Sequence, residues 1–278
     1  MEQKHLNCCS EFTKLRVLWV EHDGVRVVFV LFFLFVKSKM GSRDISQYAL
    51  VKTPRNSIRG IQGIPKIIHQ VWIGPHPRPA KWMESWEKGF CPEHGWTYMF
   101  WGNEEIAGLG LANKKEYDLS PSYQQKSDIA RYEIVYKYGG LYIDSDMIYL
   151  GNDLEAYLPF GTTDFIGVTE SPSSNKIGAP YCANGFFAAV PGHPIMKRLI
   201  EAIPERIRSK ELENAPAWIK TGPVLFNACI RTPITVIMHD WIFPLDFHKK
   251  THVADPSIFK DVALVFTYNG QEYPHMKK

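Results

Sequence analysis

From Ser122 to Leu150 the chain reads SYQQKSDIARYEIVYKYGGLYIDSDMIYL, and this stretch constrains the fold more than any other. Ser127, Ala130, Ile134 and Tyr138 fall on one helical stripe, flanked by Ile129 and Val135. The pair Gly139-Gly140 stands where a helix of this kind would be capped. An apolar strand, Leu141-Tyr142-Ile143, follows at once and runs into Asp144, with Asp146 just beyond. Two carboxylates at this spacing repel each other unless something positive stands between them.

The same alternation continues on both sides. Lys66–Ile73 is apolar, β-branched and closed by Gly74-Pro75, as a buried strand would be. Pro79 to Phe90 carries Trp82, Met83 and Trp86 at helical spacing, Trp96–Trp101 reads as a strand, and Asn103 is placed to cap a helix starting at Glu104. Further strands are expected at Leu141–Asp144, Met147–Leu150, Asp164–Thr169, Gly185–Val190, Ile234–Met238 and Val262–Phe266. Helices are expected over Pro194–Arg208, bent or broken near Pro204, and over Gly222–Ile230. Strands alternating with helices indicate an α/β domain with a largely parallel central sheet and flanking helices.

Charge and composition exclude several classes. Residues 1–60 hold ten Lys/Arg against five Asp/Glu, and residues 61–278 hold twenty-two against twenty-four. The second part has no positive excess, so no nucleic-acid partner is expected. The five cysteines, Cys8, Cys9, Cys91, Cys182 and Cys229, contain no C-x-x-C pair and give neither a disulfide framework nor a zinc site.

The chain divides into an N-terminal leader, 1–60, and a globular domain, 61–278. Within the leader, Val25–Val36 is a dense apolar run, shorter than the roughly twenty residues that span a bilayer. Three readings are open for it: a short membrane anchor, a leader without structure of its own, or an added strand or helix. An anchor would associate the protein with a membrane and place the domain in a Golgi-like lumen; without one the expectation is cytoplasmic.

In an open α/β sheet, ligands bind beyond the carboxyl ends of the strands, where Asp144 stands. Paired carboxylates on a turn suit Mg²⁺ or Mn²⁺ bridging phosphate oxygens. Asp128 and Arg131, three apart on the preceding helix, are neighbours on one face. The alternative is a solvated turn with two surface acids and an ordinary surface ion pair.

SDIARYEIVYKYGGLYIDSDM resembles the signature of the DxD glycosyltransferases of family 32, the sugar-binding-region type that includes fungal initiating α-1,6-mannosyltransferases and inositol-phosphorylceramide mannosyltransferases. IPKIIHQVWIG, ANGFFAAVPGHPIM and TGP follow the family's order, so the resemblance runs from Ile64 to Pro223. It implies a GT-A type nucleotide-sugar-binding fold and metal-dependent, retaining transfer of a hexose from a UDP- or GDP-sugar to a glycan, glycolipid or protein acceptor. It also implies roles. Val71, Trp72 and Ile73 would line the nucleotide pocket, with Trp72 under the base. Asp128 and Arg131 would contact the donor sugar, Arg131 also standing near the phosphates. Asp144 would serve ribose or sugar hydroxyls and help at the metal, while Asp146 ligates Mn²⁺ or Mg²⁺. Asn184 and Gly185 would border the reacting sugar, and Thr221 and Gly222 would form a later wall.

The family's C-terminal HHW-like segment is replaced here by VFTYNGQEYPHMKK, leaving His275 nearest that place, with His239, His248 and His252 as other candidates for a further ligand. Two other functions compete: a catalytically inactive nucleotide-sugar-binding module, and a phosphatase of the haloacid-dehalogenase type. The phosphatase is disfavoured because Met147 and Ile148 follow the D-x-D and no Gly-Asp dipeptide occurs. Trp82, Trp86, Trp96 and Trp101 are expected to serve the core rather than stack on sugar.

Overall fold

The computed structural model describes residues 15–22, 25–32, 63–170, 181–232, 234–237 and 264–266. Two strands near the N-terminus, β1 (Leu15–His22) and β2 (Val25–Phe32), pair antiparallel as a hairpin. Most of the apolar run at 25–36 is thus a strand, and residues 33–36 lie outside the described residues. No helix among the described residues is long and apolar enough to cross a membrane.

The domain is built on strands β3 (Ile67–Val71), β4 (Thr97–Trp101), β5 (Gly140–Ile143), β7 (Phe165–Thr169), β8 (Cys182–Ala189) and β9 (Thr235–Ile237), in the sheet order β4-β3-β5-β8-β7-β9. The β3–β4, β3–β5 and β7–β9 pairings are parallel, and β8 runs antiparallel to β5 and β7. The sheet is therefore mixed but mostly parallel. Two short strands, β6 (Met147–Tyr149) and β10 (Leu264–Phe266), pair antiparallel apart from it, with Phe266 opposite Met147.

Both faces of the sheet are covered, which explains why β5, β7 and β8 are buried along their whole length. On one face, Tyr142, Phe187 and Ala189 join Ile129, Ile134, Leu199 and Phe226 from helices α5 (Tyr123–Tyr138), α7 (Pro194–Arg208) and α9 (Pro223–Cys229). On the other, Leu141, Ile143 and Phe186 meet Trp86, Phe90 and Leu154. Those residues come from α6 (Leu154–Tyr157) and from a π-helical turn, Ser85–Phe90, that joins α1 (Ala80–Glu84) to α2 (Cys91–His94). Among the described residues the remaining α-helices are α3 (Asn103–Leu109), α4 (Lys114–Leu119) and α8 (Ala217–Lys220).

Three local expectations are corrected. The apolar stripe expected on α5 is too narrow: residues 128–135 are all buried, so this part of the helix is covered on every side. The helix through Pro204 runs unbroken to Arg208. Asn103 is not a cap: Gly102 holds that position, with its N–H on the Glu105 carboxylate at 2.9 Å. Asn103 instead clasps Gly74, accepting from its N–H at 2.9 Å and donating to its carbonyl at 3.0 Å. It thereby pins the loop that leaves β3.

Candidate functional site

The site begins with the turn that aims β5. Gly139 and Gly140 have φ of +65° and +94°, a region that L side chains avoid. A Cβ at Gly139 would lie 2.6 Å from Pro191 Cδ, and one at Gly140 would lie 2.6 Å from the Ile67 carbonyl oxygen. His69, fully buried on β3, donates from Nε2 to the Gly139 carbonyl at 2.8 Å and accepts at Nδ1 from the Trp101 indole at 3.1 Å. Burial lowers its pKa to about 4, which keeps the ring neutral with the tautomer these two bonds require.

α5 and β5 leave that turn in opposite directions, so the N-terminal half of α5 returns over the carboxyl end of β5. Asp128 and Arg131 thereby meet Asp144. Arg131 Nη1 lies 3.1 Å from Asp144 Oδ1 and donates to the Asn184 carbonyl at 2.8 Å. Its Nη2 bonds Ser127 Oγ at 3.1 Å and lies 3.4 Å from Asp128 Oδ1, while Nε reaches the Ser127 carbonyl at 3.3 Å. Three hydrogen bonds of its five-donor guanidinium thus stay within the protein, beside the ion pairs to Asp144 and Asp128. The group also lies over the Tyr142 ring, 4.5 Å from its centroid. Burial would lower its pKa, but Asp144 and the other acidic groups around it hold it above its ordinary value. Arg131 thereby ties Asp128, Asp144 and Asn184 together.

Asp128 is held from three sides. Asn184 Nδ2 donates to Oδ1 and Thr221 Oγ1 to Oδ2, both at 2.8 Å, and Arg131 lies beside Oδ1. Burial nevertheless pushes its carboxyl up to about 6. Tyr132, which the sequence did not single out, links the two outer partners: its hydroxyl accepts from Asn184 Nδ2 at 3.0 Å and donates to the Thr221 carbonyl at 2.8 Å.

Asp144 accepts from the Tyr142 hydroxyl at 2.9 Å on the oxygen that faces Arg131. Its backbone N–H bonds the Gly185 carbonyl at 2.8 Å, continuing the β5–β8 ladder. A Cβ at Gly185 would lie 2.4 Å from Asp144 Oδ2, so the glycine makes room for this carboxylate. Asp146 is partly exposed on the following turn, which is anchored where the Trp86 indole donates to the Met147 carbonyl at 2.9 Å. Burial first, and the Asp144 carboxylate second, raise the Asp146 pKa well above the carboxylate range. Three carboxyl groups thus face one guanidinium already committed to two of them.

Two of these carboxyl groups, Asp144 and Asp146, make a donor pair that suits a hard divalent cation. Among the described residues no group of three or more His, Cys, Asp or Glu could hold a metal. Mg²⁺ is commonly bound by one or two carboxylates together with substrate phosphates, and Asp144 and Asp146 supply that number. His239, His248, His252 and His275 lie outside the described residues.

The remaining predicted residues divide. Val71 and Ile73 are buried in the core cluster with Trp101, which leaves Trp72 as the partly exposed side chain of the three. Its indole donates to the His76 carbonyl at 2.9 Å. β3 and β5 are parallel neighbours, so Trp72 and Asp144 leave the sheet along the same edge. Asn184 and Thr221 grip Asp128, and Gly222 caps α9.

Residues 79–159 match the family model described as a glycosyltransferase sugar-binding region containing a DXD motif. The chain is 25% identical over 206 residues to inositol phosphoceramide mannosyltransferase 3 of Schizosaccharomyces pombe, covering 71% of this chain and 54% of that one. It is 26% identical over 231 residues to the uncharacterized glycosyltransferase L373 of Acanthamoeba polyphaga mimivirus, covering 77% and 86%. A solved structure described as PaToxG glycosyltransferase shares 16% identity at a TM-score of 0.44, over 61% of this chain and 69% of that chain. The chain spans about half the length of the yeast relative.

Proposed function

We propose, from the premise that the chain carries the DXD-containing sugar-binding region of glycosyltransferases, that it moves a hexose from a nucleotide-sugar to a hydroxyl of a glycan or glycolipid. The observation that carries this reading is that Arg131 draws Asp128 and Asp144 together at the carboxyl edge of β5, with Asp146 two residues on and near enough for the Asp144 charge to act on it. Such an edge is where α/β sheets bind ligands, and an excess of carboxylate there suits a cation with a diphosphate.

The residues divide the work. Asp146, with Asp144, would hold Mn²⁺ or Mg²⁺, which would supply neutralisation of the charge developing on the leaving diphosphate. Asp128 is fixed by three partners yet keeps lone-pair capacity to accept a hydroxyl of the donor sugar. Trp72 offers a face to the base. In the transfer the anomeric C–O bond to the diphosphate breaks and a bond to the acceptor oxygen forms on the same face. The acceptor's proton passes to the departing diphosphate oxygen, giving retention of configuration.

The relative named as a mannosyltransferase makes GDP-mannose the first donor to try. The test is a panel of UDP- and GDP-hexoses with Mn²⁺, assayed for release of nucleoside diphosphate. At least one donor should turn over, and Asp146→Ala should abolish the release. Donor binding without turnover of any member would instead identify an inactive binding module.

A further inference from the structure

The tryptophans of the domain are not used alike. Trp86, Trp96 and Trp101 are buried, as expected of core residues, whereas Trp218 is 55% exposed. It stands on α8, three residues before the Thr221 whose hydroxyl bonds Asp128.

The indole is carried on a braced scaffold. Thr221 and Gly222 both donate their N–H groups to the Ala217 carbonyl at 2.9 Å, folding the chain back tightly. A Cβ at Gly222 would lie 2.8 Å from Trp218 Cα. Arg206 bonds the Ile219 and Lys220 carbonyls, and Lys220 Nζ bonds the Glu213 carbonyl at 3.1 Å. Tyr132 holds the Thr221 carbonyl from below. A rigidly mounted, half-exposed aromatic side chain three residues from a residue of the polar site is what a ring-stacking subsite requires.

The surroundings favour one kind of occupant. Glu211, Glu213 and Asn214 are exposed ahead of the indole, while Lys220 behind it is buried, so the local surface is polar and acidic. A lipid surface is better matched by a contiguous apolar face with basic flanks. A polyhydroxylated six-membered ring presents an apolar C–H face and a polar rim, matching a single exposed indole among polar groups.

We propose that Trp218 is the platform for the acceptor: a pyranose or cyclitol ring stacks on the indole and directs one hydroxyl toward the site lined by Asp128. This rests on the transferase reading above. The position sets acceptor affinity and leaves donor cleavage to the carboxylates.

The test compares the wild type with Trp218→Ala, Trp218→Phe and Leu119→Ala, the last removing another exposed apolar side chain. Hydrolysis of the donor by water is measured beside transfer to methyl α-mannopyranoside, methyl β-galactopyranoside, methyl β-glucopyranoside and myo-inositol. Trp218→Ala should raise the acceptor KM about five- to tenfold, the size of an aromatic stacking contact, and leave donor KM and hydrolysis unchanged. Phe should restore most of the affinity, and Leu119→Ala should behave as wild type. Titrating the same four compounds should also shift the Trp218 indole N–H resonance. An unchanged acceptor KM in Trp218→Ala, an equal effect of Leu119→Ala, or a parallel fall in donor hydrolysis would overturn the proposal. So would an indole resonance that none of the four compounds moves, or Trp218-dependent binding to phosphatidylcholine–phosphatidylinositol vesicles in its place. A wild type that hydrolyses no donor refutes the transferase reading, while the indole titration still decides this one.

Discussion

Arg131 and Asp144 form an ion pair at 3.1 Å whose arginine is buried and whose aspartate is about one-third exposed. Because the same guanidinium also serves Asp128, Asn184 and Ser127, the pair organises the whole cluster. Arg131→Ala would leave two carboxylates without their shared cation, and breaking such a buried pair costs about 3–5 kcal/mol. Arg131→Lys keeps the charge but not the five-donor fork, so it should be intermediate in stability and still lose donor turnover. Urea denaturation and nucleoside diphosphate release, measured on both variants, check this.

Gly185 is tested by the smallest possible change. In Gly185→Ala the new methyl group would start 2.4 Å from Asp144 Oδ2, and the ladder bond from the Asp144 N–H prevents the backbone from simply withdrawing. The carboxylate must move instead. We expect a destabilisation of about 1–3 kcal/mol, the usual cost of overpacking, and a loss of donor turnover far larger than that shift would produce. Thermal unfolding and turnover on the same sample separate the two effects.

His69 gives the fold a pH dependence remote from the carboxylates. Its folded pKa is lowered from 6.5 to about 4, so between those values the unfolded chain binds a proton that the folded chain does not. Stability should therefore be fully present above about pH 6.5 and fall as pH drops toward 4, by about 3 kcal/mol for this group. Urea midpoints at pH 7 and pH 5 should differ in the wild type, and the difference should shrink in His69→Gln.

Thr221 is buried, and its hydroxyl supplies the Asp128 Oδ2 bond. Thr221→Val keeps the shape and removes that donor, leaving a buried carboxylate oxygen less satisfied at a cost of about 1–3 kcal/mol. The loss of a bond that favours the ionised form should also raise the Asp128 pKa further above about 6. The acid limb of the donor-hydrolysis profile should move to higher pH in this variant.

Much of the site was legible because it is local. The helix–Gly-Gly–strand–DxD segment needs only helical spacing, two residues tolerant of positive φ and an apolar strand to be read, and all three were found in place. Asp128 and Arg131 were recognised as a pair from their spacing alone. The functions of their partners were not legible. Asn184 is 56 residues from Asp128 and Thr221 is 93, and a hydrogen bond across such a distance leaves no periodic trace. Tyr132 carries no signal of its own in the sequence, yet its hydroxyl connects those two segments.

The sequence by itself determined the α/β alternation, the turn at Gly139-Gly140 and the delivery of two aspartates beyond an apolar strand. Those features follow from backbone propensity and hydrophobic period, which act over a few residues. Only the tertiary structure decided that β8 lies antiparallel beside β5, placing Asn184 and Gly185 against Asp128 and Asp144. It alone showed that Arg131 ties Ser127, Asp128, Asp144 and Asn184 together and that Trp218 is left exposed. Burial and hydrogen bonding of this kind are properties of neighbours in space, and those neighbours exist only once the sheet has assembled.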